Sequence, residues 1–161
     1  MYKKILVPYD ISNPADNALE HALRLKSANP SETELDLLHI VDIPIYPIIE
    51  QAFKSRKDSK LTAFDEHTEY VYSSIKNEAT KKMDEKKRKY EQVGLKIKVQ
   101  VTKGKPVDKI LEYAEKEGIE LIIMGSTGLG GGPSKLIALG SVSRGVLERS
   151  KCPVMIARQR P

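Results

Sequence analysis

Tryptophan is absent from this chain of 161 residues, cysteine occurs once and phenylalanine twice. A single thiol, Cys152, rules out a disulfide within the chain and suits a reducing compartment, so a cytoplasmic location is expected. No apolar run approaches the roughly 20 residues that cross a bilayer. The stretch Met1–Pro8 holds too short an apolar run for a secretory leader and enters a strand at once, so no membrane association is expected. Histidine is scarce as well. His21, His39 and His67 fall on three separate predicted elements, with no cysteine or acidic cluster at ligand spacing, which argues against a metal site.

The net charge is +5, and many of the cations lie in Lys81–Lys89 (KKMDEKKRK) within a helical pattern. That run reads as a solvated helix face. A nucleic-acid platform needs aromatic rings interleaved with the cations, and the tyrosines are not placed that way. Hydrophobic residues at 40% and charged residues at 30% fit one globular domain over residues 1–161.

The apolar runs Lys4–Pro8, Leu35–Val41, Ile119–Met124 and Val154–Ala157 predict strands, the first two buried on both faces. Leu95–Val101 alternates apolar and polar, the pattern of a sheet edge. Between these runs lie helical patterns. Asn13 is the predicted cap of the first, with Pro14 and Asp16 in its first turn and Ala15, Ala18, Leu19, Ala22 and Leu23 as its apolar stripe. The second runs from Asp65 to a stop at Gly94, with Val71, Ile75, Ala79, Met83, Tyr90 and Val93 on one face. A third carries Ile110, Leu111 and Ala114, and a fourth spans Ser141–Arg149. The stretch 43–63 has no firm period and reads as a mobile excursion, with one helical turn near Ile48 to Phe53.

Strict strand–helix alternation predicts an α/β fold. It is a single domain with a five-stranded parallel sheet in the order 3-2-1-4-5 and helices on both faces. Such a sheet reverses its strand order between the first and fourth strands, and ligands bind at the carboxyl ends of the strands beside that reversal. Pro8, Tyr9 and Asp10 then lie opposite Met124 and Gly125. After Gly125 come Ser126, Thr127 and Gly128, a glycine-rich loop, and Gly140, Ser141, Val142 and Ser143 at the predicted start of the fourth helix. A helix N-terminus offers backbone N–H groups and a favourable dipole to an anion. Gly125 and Gly128 permit positive φ and close backbone approach to a ligand, Ser126, Thr127, Ser141 and Ser143 offer hydroxyls for phosphate oxygens, and Asp10 offers an acceptor for ribose hydroxyls. Glycines after a strand also serve simply to turn the chain, and spacing alone leaves the two readings level. Neither a Walker loop nor a G-x-G-x-x-G fingerprint is present.

The segments Ile5–Asp10 (ILVPYD), Leu37–Val41 (LLHIV), Ile122–Gly128 (IIMGSTG), Leu139–Ser143 (LGSVS) and Cys152–Ile156 (CPVMI) resemble, in order, those of the universal stress protein family. The resemblance covers the whole chain. It implies an α/β fold, binding of ATP or AMP, and a homodimer joined through strand 154–157; a bound Mg²⁺ would be held mainly by phosphate oxygens and water. By position, Pro8, Asp10, Ile40 and Met124 would flank the adenosine. Gly125, Ser126, Gly128, Gly140, Ser141, Val142 and Ser143 would surround the ribose and phosphates. Eleven residues separate Gly128 from Gly140, where the family pattern has nine. Loop-closure entropy grows slowly with length, so nucleotide binding is expected to persist. Lys135 in that loop reads as solvent-exposed, and His39 as a hydrogen-bonded core histidine close to the crevice. With only Asp10 and His39 as candidate bases, a sensor or binding module in a stress response is expected rather than a dedicated enzyme. The alternative is a dimeric structural module of the same fold that holds no nucleotide.

Overall fold

The computed structural model describes residues 2–28, 30–42, 61–128 and 139–158. The predicted helical turn at Ile48 to Phe53, most of the excursion 43–63, and Lys135 therefore lie outside the described residues. The elements run β1 (Lys4–Pro8), α1 (Asn13–Ala28), β2 (Glu34–Val41), α2 (Leu61–Glu91), β3 (Lys98–Lys103), α3 (Pro106–Glu117), β4 (Leu121–Gly125), α4 (Ser141–Arg149) and β5 (Val154–Ala157). The five strands form one sheet in the order β3-β2-β1-β4-β5, parallel throughout, as the alternation predicts.

Each face of the sheet carries its own core, because successive strand residues point to opposite sides. Ile5, Val7, Leu35, Leu37, Leu121 and Ile123 pack with the α1 stripe and with Met83 of α2. Leu6, Leu38, Ile122 and Met124 pack with Ile110 and Ala114 of α3 and Val146 of α4. Strands buried on both faces thus account for the continuous apolar runs in β1, β2 and β4.

Four local expectations are corrected. The cap of α1 is Ser12 rather than Asn13: its Oγ accepts the Ala15 N–H at 3.3 Å and its carbonyl accepts the Asp16 N–H at 2.9 Å. The edge strand begins at Lys98 because Leu95 is spent on ending α2. Gly94 takes φ +81, its N–H bonds the Glu91 carbonyl, and the Leu95 N–H reaches back to the Tyr90 carbonyl. Third, the α2 face is only partly core. Ala79 and Met83 are buried, whereas Val71, Ile75 and Val93 are exposed. At 31 residues α2 is about 46 Å long, and the eight-residue β2 spans about 26 Å. Its first half therefore overhangs the sheet. Finally, α2 begins four residues before Asp65, at Leu61.

The basic run of α2 is a solvated face threaded with acids. Lys82 pairs with Glu78, Lys87 with Glu91 and Lys86 with Asp16. Among the described residues no helix is long and apolar enough to cross a membrane.

Candidate functional site

At the end of β1 the chain makes a tight turn that fixes Asp10. Tyr9 still donates its N–H to the Leu38 carbonyl at 2.8 Å, one rung past the last paired residues Pro8 and Leu38. Ile11 then adopts φ +68, a left-handed conformation costly for a β-branched side chain. The return is a turn in which Asp10 Oδ1 accepts both the Ser12 N–H at 3.1 Å and the Ser12 Oγ–H at 2.5 Å. Ser12 is buried and caps α1, so the carboxylate is clamped to the start of a helix. Its other oxygen, Oδ2, lies against the Cα of Gly128.

Opposite, β4 ends at Gly125. Neither Gly125 nor Gly128 uses the positive φ that glycine permits; the described glycines that do are Gly94, Gly104 and Gly118. The need for glycine is one of space. A Cβ on Gly125 would meet the Cβ, carbonyl carbon and carbonyl oxygen of Pro14 at 2.7 to 2.8 Å, and one on Gly128 would meet Asp10 Oδ2 at 2.6 Å. The ends of β4 and α1 touch backbone to backbone at this point.

The start of α4 is tied to the same turn. Gly140 donates its N–H to the Ser126 carbonyl at 2.8 Å, and Ser143 Oγ lies 3.0 Å from the Gly125 carbonyl and 3.1 Å from that of Ser126. Ser143 is 3% exposed. Its hydroxyl is committed to holding α4 on the strand end, whereas the sequence pattern offers it to phosphate. Gly140 occupies the cap position of α4, and among the described residues no side chain closes that cap.

Between these elements lies a cleft of about 540 Å³. Of the predicted site residues, Pro8, Asp10, Ile40, Met124, Gly125, Gly128, Gly140, Ser141, Val142 and Ser143 line it. Ser126 does not, and contributes its carbonyl to the α4 bonds instead. One wall is apolar, with Ile40, Met124 and Val142 joined by Pro106 and Ile110 from α3. The other end is polar, where Asp10, Thr127 and Ser141 meet Gly140. Several lining residues were not assigned to the site from sequence. Ile110 reads as the inward face of a helix and Ile75 as core, while Pro106 and Asp42 carry no site signal in the sequence; only packing across the sheet end brings them to the cleft. A larger hollow of about 800 Å³, lined by Lys26, Glu34, Lys96 and others, opens at the amino ends of the strands. That is the end at which sheets of this topology do not bind ligands.

A polar cluster braces the floor. The Tyr9 hydroxyl donates to Asp16 Oδ1 at 2.5 Å, and Lys86 of α2 reaches both the Tyr9 oxygen, at 2.6 Å, and Asp16. Burial, and then the bond to Asp16, push the Tyr9 phenol well above its usual range. Burial works to raise the Asp16 carboxyl, but the hydrogen bonds from Lys86 and Tyr9 outweigh it and hold the group below 3.8. His39 places Nδ1 2.7 Å from the Tyr9 carbonyl. Among the described residues there is no group of three or more His, Cys, Asp or Glu suited to a metal ion.

The model of the universal stress protein family matches residues 1–158. The chain is 35% identical to universal stress protein MJ0577 of Methanocaldococcus jannaschii, over 99% of this chain and 97% of that protein. It is 31% identical to universal stress protein YxiE of Bacillus subtilis, over 98% and 100%. The solved structure of MJ0577 superposes with a TM-score of 0.78, covering 100% and 99% of the two chains. The chain belongs to the universal stress protein family.

Proposed function

We propose that this universal stress protein holds an adenine nucleotide, ATP or AMP, in the cleft at the carboxyl ends of β1, β2 and β4. It acts there as a nucleotide-dependent sensor or binding module in a stress response. The observation that carries the reading is the division of the cleft: an apolar wall of Ile40, Met124 and Val142 stands beside the clamped carboxylate of Asp10 and the Gly140–Ser141 start of α4. The wall suits a flat purine, the carboxylate suits vicinal ribose hydroxyls, and the helix start suits phosphate. Ser141 and Val142 bring first-turn backbone to the phosphate end. Mg²⁺ would be held mainly through phosphate oxygens and water, the usual habit of this ion.

Two proteins of the same fold form complexes with cAMP and with dAMP, at 22% and 17% identity to this chain. At that distance they speak for the fold, and the cleft residues themselves carry the assignment. Calorimetric titration of nucleotide-stripped protein with ATP, ADP and AMP is the test. Saturable binding at micromolar to millimolar concentration is the expected result, and no affinity up to about 1 mM sinks the reading.

A second element of the reading is a homodimer through β5. Among the described residues this strand is paired only with β4, so it lies at the sheet edge, and it exposes Met155 at 39%. An apolar edge of this type pairs readily with a second copy. Light scattering across a wide concentration range checks it, and a strict monomer counts against it.

A further inference from the structure

We infer that His39 is a positioning residue of the ligand cleft, acting on Asp10 through the backbone of Tyr9; the inference rests on the nucleotide reading of that cleft. A carbonyl oxygen can only accept, so the 2.7 Å contact between Nδ1 of His39 and the Tyr9 carbonyl fixes the proton on Nδ1. The contact lies where β1 and β2 part. Their register ends at Pro8 and Leu38, and the Tyr9 N–H makes one further bond, to the Leu38 carbonyl. In a continuing parallel ladder the Tyr9 carbonyl would bond a backbone N–H of β2 two residues beyond Leu38. Here the side chain of His39 takes that carbonyl, so the strands can separate without leaving a half-buried acceptor unpaired. The parting opens the cleft.

Tyr9 is therefore held at each of its polar groups: its N–H by Leu38, its carbonyl by His39 and its hydroxyl by Asp16 and Lys86. The next residue is Asp10, whose carboxylate is aimed by the Ile11 turn and Ser12. Releasing the Tyr9 carbonyl frees the peptide unit that leads into Asp10. The ring also lines the cleft, so an effect through Asp10 must be separated from lost contact with the ligand.

The experiment combines AMP titrations of wild type, His39→Ala, His39→Asn, Asp10→Asn and the Asp10→Asn/His39→Ala double variant with the imidazole nitrogen NMR spectrum of nucleotide-free wild type. The Asn amide places a donor where Nδ1 stands. Expected are a proton on Nδ1, about tenfold weaker AMP binding by His39→Ala, recovery to within about threefold by His39→Asn, and no further loss from His39→Ala once Asp10 is Asn. Equal affinity of His39→Ala and wild type overturns the proposal. So does an additive double variant, which marks direct ring contact, or a failure of His39→Asn to recover binding. Wild type that binds no nucleotide ends the nucleotide reading instead. The ring spectrum then judges the brace alone: a proton on Nδ1 upholds the contact with Tyr9, and one on Nε2 overturns it.

Discussion

Asp10 and Gly128 are in contact across the cleft mouth: a methyl group on the Gly128 Cα would lie 2.6 Å from Asp10 Oδ2. That carboxylate cannot yield freely, because its other oxygen holds the Ser12 N–H and hydroxyl. The two glycines of the Met124–Gly128 turn therefore differ in kind. Gly128 makes room for a side chain of the site, and Gly125 makes room for the backbone of α1.

Gly128→Ala is expected to turn the Asp10 carboxylate out of its bond with Ser12 and to weaken AMP binding at least tenfold. Stability should fall by less than about 1 kcal/mol, since an exposed loop position takes the change. Calorimetry paired with urea denaturation checks both halves.

Gly125→Ala gives the opposite balance. The added carbon meets the Pro14 main chain at 2.8 Å, so α1 must shift away from β4. A stability loss of about 1–3 kcal/mol is expected, read as a lower urea midpoint at unchanged slope.

Ser143→Ala removes a buried hydroxyl that bonds the carbonyls of Gly125 and Ser126. The expected cost is about 1–2 kcal/mol. Faster amide exchange at the start of α4 would locate the loss, and an unchanged exchange pattern there would contradict the tether.

Two aspartates give opposite pH signatures. Burial raises the Asp36 carboxyl above 3.8, although the hydrogen bond from Tyr113 and the charge of Lys98 oppose it. A raised acid contributes stability at low pH and loses it as pH rises through the folded value. The stability of Asp36→Asn relative to wild type should accordingly improve as pH climbs from about 4 towards neutrality. Asp16 is held below 3.8, so its contribution is present at neutral pH and is lost as pH falls through the lowered value. Asp16→Asn should be destabilised at pH 7 and converge on wild type in acid. Denaturation midpoints across that range decide the signs.

The fold was legible in the sequence because its signals are local and repeated. Continuous apolar runs in β1, β2 and β4 can be satisfied only by a sheet covered on both faces, and the alternating run near β3 only by an edge. Gly94 marks a helix end in the sequence, and it takes left-handed φ there. Boundaries were less legible. Ser12, not Asn13, caps α1, because the partner that selects between adjacent capping residues is the carboxylate of Asp10, set by the β1 turn.

Sequence alone determined the strand order, the end of the sheet at which the cleft forms, and about half of the residues that line it, since period and topology leave few other arrangements for β-α alternation. Tertiary structure decided what each of those residues does. Ser143 turned from phosphate candidate to internal tether and Gly125 from ligand approach to helix packing, while His39, expected as a hydrogen-bonded histidine near the crevice, acquired its partner, the Tyr9 carbonyl. Each of these roles depends on distances between segments far apart in the chain, which a linear pattern does not encode.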